Sequence, residues 1–320
     1  MSLFKPRYKS SKQRSYLHHA FINIRAAGLF IFIVLLQLCS YGQQAEKPIR
    51  FGIIADPQYA DKDDHGTRFY RNALQKLDTA VTFLNTQPLD FTVILGDFVD
   101  QGIKDLPPVM ERLEKLKMPV YNVLGNHDYV DAPDRQNLYR HFKMKAPYYT
   151  FAKGEWLFII LNTNELSAYA TNDNSTPHDD WAAMSDQLKA AGRKNVYPWN
   201  GGISKKQFQW MEKQLISAER KGKKVIILSH HPLFPENGLE ALNNREILAA
   251  IDQHPCVRAV ISGHHHPGNF AYYKDIPMIT LEGMVETAHQ NAYGTVKLSA
   301  DTMIIEGHGR LSSRTLTFKH

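Results

Sequence analysis

Apolar runs and helical periodicities take turns along this chain. Phe51–Ala55, Phe91–Leu95, Pro119–Leu124, Trp156–Leu161, Val225–Leu228 and Val257–Ile261 are short, almost wholly apolar and rich in β-branched residues. Runs of that length and content predict buried strands. After the first of them, Tyr70, Leu74, Leu77, Val81 and Leu84 recur at spacings of 3 and 4, which places them on one face of a helix. Residues 105–117, 204–221 and 239–254 carry further helical patterns, and Met278–Leu281, Gly294–Leu298 and Thr302–Glu306 predict a late set of strands. Strands alternating with helices imply an α/β layered fold.

One stretch breaks the pattern. Asn162–Ile203 is polar, rich in Asn, Asp and Ser, and holds Trp181, Tyr197 and Trp199. It is too long for an ordinary connection. Its aromatic residues favour an inserted loop or cap over a site; the alternative is a disordered surface excursion.

The N-terminus reads differently from the rest. Residues 1–25 carry six basic residues and no acidic ones, Ala26–Leu38 is almost wholly apolar, and Ser40 and Gly42 are small. This is the layout of an export signal over residues 1–42, with residues 43–320 as the mature domain. The apolar stretch is 13 residues, short of the roughly 20 that cross a bilayer as a helix, so no stable membrane span is expected. Leu36-Gln37-Leu38-Cys39 makes lipid anchoring at Cys39 an alternative, although Leu38 stands where a small residue is wanted. Without the leader, the 38 basic and 32 acidic residues become 32 and 32. The chain's basic character therefore belongs to the leader, and charge gives no reason to expect a nucleic-acid partner. Cys256 alone remains of two cysteines, so no intramolecular disulfide staples the mature chain.

The chemistry sits where the strands end. Asp56-Pro-Gln58 follows the first run, Gly96-Asp97-x-x-Asp100 the second, and Gly125-Asn126-His127-Asp128 the third. Ser229-His230-His231-Pro232 and Gly263-His264-His265-His266 follow the last two. In α/β sheets ligands gather at the carboxyl ends of strands. Any one of these clusters could be a surface cap. Five in order, mixing hard oxygen donors with imidazoles, suit a pair of divalent cations better than a single structural zinc. A two-metal site is a common solution for attacking phosphate esters.

As an ordered set the motifs resemble those of the calcineurin-like metallophosphoesterases: D-x-H, G-D-x-x-D, G-N-H-D/E, H-x-P and G-H-x-H. The resemblance runs from about Phe51 to His266, with Gln58 where most members have His. D-x-Q is similar to the manganese-dependent ADP-ribose/CDP-alcohol diphosphatases. Ala55–Asp61, Gly66–Arg71, Thr280–Gly283, Glu286-Thr287, Tyr293–Val296 and Gly307-x-Gly309-Arg310 look like that family too.

The resemblance implies an α-β-β-α sandwich whose polar insertion is Asn162–Ile203. It implies one metal on Asp56, Gln58, Asp97 and His266, and a second on Asp97, Asn126, His230 and His264, with Asp97 bridging. Two divalent cations bring +4 and the two aspartates −2. That leaves about +2 for a bridging hydroxide and an anionic substrate, so in-line attack by metal-bound hydroxide, without a phosphoenzyme, is expected. Gln58 makes its site harder, favouring Mn²⁺ or Mg²⁺ over Zn²⁺, with Fe also possible. The family implies that His127 contacts phosphate and assists the leaving group, and Asp128 is a candidate to orient it. Tyr59, Arg68, Tyr70 and Arg71 could line a nucleotide pocket, or begin a helix and face solvent. His231 and His265 are expected to pack or face solvent rather than bind metal.

The expected function is hydrolysis of phosphoanhydrides in nucleoside diphosphate-linked compounds such as ADP-ribose and CDP-alcohols. The alternatives are a broad phosphodiesterase or phosphomonoesterase and, further off, a non-catalytic secreted metal-binding module. Asp100 stands where a purple acid phosphatase would have Tyr, which argues against that family. The expected partner is a small nucleotide.

Overall fold

The computed structural model describes Met1 and residues 47–318; the expected leader over 1–42 lies outside the described residues. From Pro48 onward the chain forms one unit built on two six-stranded sheets. The first contains β1 (Ile49–Ile54), β2 (Phe91–Ile94), β3 (Val120–Asn122), β12 (Ala292–Leu298), β13 (Thr302–Gly309) and β14 (Arg314–Thr317), in the order β14-β13-β12-β1-β2-β3. The second contains β4 (Tyr149–Lys153), β5 (Trp156–Ile160), β8 (Lys224–Leu228), β9 (Val257–Ser262), β10 (Pro267–Tyr273) and β11 (Ile276–Glu282), in the order β10-β11-β9-β8-β5-β4. The short strands β6 (Leu166–Ser167) and β7 (Gly201–Gly202) pair with each other. The helices are α1 (Ala73–Leu84), α2 (Leu106–Leu113), α3 (Thr176–Ala190), α4 (Lys205–Arg220) and α5 (Asn244–Asp252).

The layering follows from the period of a strand, which sends successive side chains to opposite faces. Phe51 and Ile53 of β1 point into the core between the sheets, whereas Ile54 packs toward α1 and α2. In β8, Ile226 and Leu228 face the inter-sheet core, and Val225 and Ile227 face α4 and α5. With both faces covered, every position must be apolar, which is why these strands read as unbroken runs. Phe91 anchors the centre, stacked on Phe51 at 4.8 Å and edge-on to Phe158 at 5.1 Å. The result is the expected α-β-β-α sandwich.

Every expected strand and helix is present. The structure adds β4, β6, β7, β10, β14 and α3. Among these, α3 shows that the 162–203 segment carries a 15-residue helix as well as β6 and β7. Ser175 caps α3 by accepting from the His178 N–H. Among the described residues no helix is long and apolar enough to cross a membrane.

Candidate dinuclear metal centre

Parallel pairing of β1 with β2 and β2 with β3, and of β8 with β9, brings their carboxyl ends together. Asp56, Gln58, Asp97 and His264 leave these ends with φ between +46° and +67°, a left-handed conformation that L-residues seldom adopt and that concentrates at functional sites. The neighbouring glycines are there for space. A Cβ on Gly125 would lie 2.1 Å from Asp97 Oδ1, and one on Gly96 2.6 Å from His230 Nδ1. The loops therefore approach each other more closely than any other residue allows.

Two groups of candidate ligands result. Asp97, His230 and His264 form one, Asp56, Asp97 and His266 the other, the ligand atoms of each lying within 4.8 Å of one another. Asp97 belongs to both. His230 Nδ1–H donates to the Leu95 carbonyl at 2.8 Å, which turns Nε2 toward Asn126 Oδ1 at 3.1 Å and Asp97 Oδ2 at 3.3 Å. His266 Nδ1 is bonded to Glu286 Oε1 at 2.7 Å, with Nε2 3.8 Å from Asp56 Oδ1. A carboxylate or carbonyl behind the ligating imidazole fixes its tautomer and orientation. Gln58 Nε2 donates to Asp100 Oδ1 at 2.8 Å, and its Oε1 is buried with no hydrogen-bond partner. A buried carbonyl oxygen left unmatched is costly, and a cation would satisfy it. These donors fit two divalent metals.

The electrostatics agree with that fit. Burial opposes charge on His230, yet Asp97 and Asp56 outweigh it and raise its pKa to about 9. Burial likewise works to raise Asp97, but the adjacent His230 and His127 hold it below the ordinary carboxylate range. His264 goes the other way, pushed well down by burial and then by the neighbouring His231 and His230. The field at the centre thus draws positive charge to where Asp97 and His230 face each other.

The other expected residues divide. His127 Nδ1 bonds the Asp100 backbone carbonyl at 3.0 Å and lies 3.4 Å from Asp100 Oδ1. Asp128 does not orient it, contrary to expectation. The Asp128 carboxylate accepts from the N–H groups of Phe98 at 2.8 Å, Val99 at 3.3 Å and Gly125 at 2.8 Å, and so ties two ligand loops together. Asp97, Asn126, His127, His264 and His266 line a cleft of about 390 Å³, completed by Arg68, Tyr169, Trp199 and Leu239. Of the four expected substrate contacts, Arg68 alone reaches it. Tyr70 lies in the turn before α1, is 2% exposed and packs with Ala60 and Val285, apart from the core that α1 covers. Arg71 is taken by Asp61 and Asp63 at the surface, and Tyr59 packs on the helix-side core.

The 162–203 segment supplies two cleft residues, Trp199, which the sequence had marked, and Tyr169, which it had not. Trp199 stacks on Tyr197 with ring centres 4.8 Å apart. His231 is buried and spent on structure, with Nδ1 2.8 Å from Thr163 Oγ1 and Nε2 2.9 Å from the Trp199 carbonyl. The aromatic residues in a polar segment were the available signal for Trp199; nothing local marked Tyr169.

Comparison with known proteins places these features in a wider set. Residues 49–268 match the family model described as calcineurin-like phosphoesterase. A human protein named manganese-dependent ADP-ribose/CDP-alcohol diphosphatase is 29% identical, the match covering 86% of this chain and 94% of that protein. A rice protein of the same name is 27% identical, covering 87% and 97%. The crystal structure of a dimetal phosphatase from Danio rerio superposes with a TM-score of 0.77 at 27% identity, covering 85% of this chain and 100% of that one.

Proposed function

The chain belongs to the calcineurin-like phosphoesterase family and is a metal-dependent phosphoester hydrolase, and from that premise we propose that it cleaves the phosphoanhydride of nucleoside diphosphate-linked compounds, ADP-ribose and CDP-alcohols among them. The observation that carries the reading is a pair of ligand groups sharing Asp97 in a cleft that also presents Arg68 and an aromatic wall. The names of the relatives supply the substrate class.

Asp56, Gln58, Asp97 and His266 would hold one metal, and Asp97, Asn126, His230 and His264 the other. The unpartnered Gln58 carbonyl favours Mn²⁺. When bound, such a pair makes water acidic enough to act near neutral pH and clamps phosphoryl oxygens. His127, whose Nδ1–H is held by the Asp100 carbonyl, would as an imidazolium direct Nε2–H at the phosphoryl group and give that proton to the departing oxygen. Arg68, loosely paired with Glu286 at 3.7 Å, is placed to hold the phosphate that does not react. Trp199 offers its ring to the base or the alcohol head group.

A Mn²⁺-supplemented panel of ADP-ribose, CDP-choline, bis-p-nitrophenyl phosphate and p-nitrophenyl phosphate tests the reading. Preference for the two diphosphates, lost in Asp97→Asn, is expected. Preference for the nitrophenyl esters would make the protein a general phosphoesterase.

A further inference from the structure

Asn200 reaches from the insertion onto a candidate metal ligand. Its side chain is fully buried, and Nδ2 donates to the backbone carbonyls of Asn195 and Gly238, each at 2.7 Å. Carbonyls only accept, so the amide nitrogen must face them and Oδ1 must face away. Oδ1 lies 3.0 Å from His264 Nε2. An oxygen that only accepts requires Nε2 to carry the hydrogen, which leaves Nδ1 bare. That Nδ1 sits 3.3 Å from His230 Nε2, the nitrogen that remains once His230 Nδ1–H is committed to the Leu95 carbonyl. With both rings neutral, two imidazole lone pairs and Asp97 Oδ2 converge with no hydrogen between them, which is the arrangement a cation completes.

We propose that Asn200 is a positioning residue for the second metal: it fixes the His264 tautomer and ring orientation, so that the 162–203 insertion is part of the metal centre rather than a cover over it. The backbone supports this. The Trp199 carbonyl, one residue earlier, accepts from His231 Nε2–H at 2.9 Å. Residues 199 and 200 are thus pinned side by side to the loops after β8 and β9, and the cleft-lining Trp199 is held in register with the ligands. The proposal rests on the two-metal reading above.

The test is Mn²⁺ binding to the full-length protein, followed by calorimetry and by electron paramagnetic resonance for coupled Mn²⁺ pairs. Two variants separate positioning from scaffolding, because Asn200→Leu and Asn200→Asp both lose the two Nδ2 bonds and only Asp keeps an oxygen for His264. Asn200→Leu is expected to weaken one of the two Mn²⁺ sites by about 10- to 100-fold and to abolish the coupled signal. Asn200→Asp, which keeps an accepting oxygen for His264, is expected to bind Mn²⁺ more tightly than Asn200→Leu and to retain the coupled signal. Equal losses in both variants, or none in either, would overturn the proposal. Failure of the wild type to bind two Mn²⁺ would instead sink the two-metal reading. A second measurement needs no variant: nitrogen NMR of the Mg²⁺-loaded wild type should show His264 protonated at Nε2, and protonation at Nδ1 would refute the role of Asn200.

Discussion

Asp100 and Asp128 are both buried carboxylates beside His127, and they do different work. Asp100 lies against the imidazole and also holds Gln58 Nε2, while Asp128 spends both oxygens on three backbone N–H groups. Replacing Asp128 by Asn would turn one oxygen into a donor facing donors. The expected loss is about 2–4 kcal/mol of stability in chemical denaturation, with kcat of the folded fraction little changed. His127→Ala should show the reverse, a kcat lower by about 10²- to 10⁴-fold at near-constant stability. An Asp128→Asn protein as stable as wild type but as inactive as His127→Ala would restore the orienting role to Asp128.

At the scale of elements, the 162–203 segment is closed at its base by Gln207 of α4. Ser204 and Gln207 at the start of α4 have the spacing of a capping box, and Ser204 Oγ does accept from the Gln207 N–H. The Gln207 side chain turns elsewhere. Its Oε1 accepts from Asn162 N at 2.8 Å and its Nε2 donates to Asn162 O at 3.0 Å. One buried amide thus satisfies both backbone groups of the residue where the insertion begins. Gln207→Leu leaves the Asn162 N–H unmatched and its carbonyl with only the bond from the Glu165 N–H at 3.3 Å, at an expected cost of about 1–3 kcal/mol. Hydrogen exchange should quicken within 162–203 while β8 and β9 stay protected. Uniform loss of protection across the sheets would show that the insertion does not open on its own.

For the whole molecule, two ligand groups joined at Asp97 make stability depend on metal. At about a hundredfold excess over Kd, each Mn²⁺ that binds the folded state should add about 2.7 kcal/mol. For a domain of this size that raises Tm by roughly 5–10 °C per site. Chelation should remove the gain, and Asp97→Asn should show little of it because both groups need that residue. Cys256 reports the second sheet and its helices. Burial first, then the Glu219 carboxylate, push its thiol up to about 12 from an ordinary value of 9.0. The folded state keeps this proton while the unfolded state gives it up, so the contribution to stability is whole below about pH 9 and is lost as pH rises toward 12. Alkylation of Cys256 at pH 8, read from its peptide by mass spectrometry, should therefore stay slow until denaturant unfolds the chain. Rapid labelling of native protein would place the thiol outside the packed layer.

The sequence by itself determined the layers and pointed to the residues of the two candidate ligand groups. Runs such as Phe51–Ala55 and Val225–Leu228 are apolar at every position because both sheet faces are covered, and period alone separates them from helices. The ligand motifs were legible because each stands at a strand end, with glycines where the loops have room for no Cβ. Roles that depend on which partner arrives from far along the chain were not legible. Tyr70 and Arg71 differ by one position, yet one packs in the core and the other meets surface carboxylates. Asp128 was assigned to its neighbour His127, but hydrogen bonding gave it to amides some thirty residues away. Asn200 looked like any polar residue of a long insertion until folding set its oxygen against His264. Local pattern records what a residue must avoid or bury; the direction of a hydrogen bond is settled only when the tertiary structure supplies the other atom.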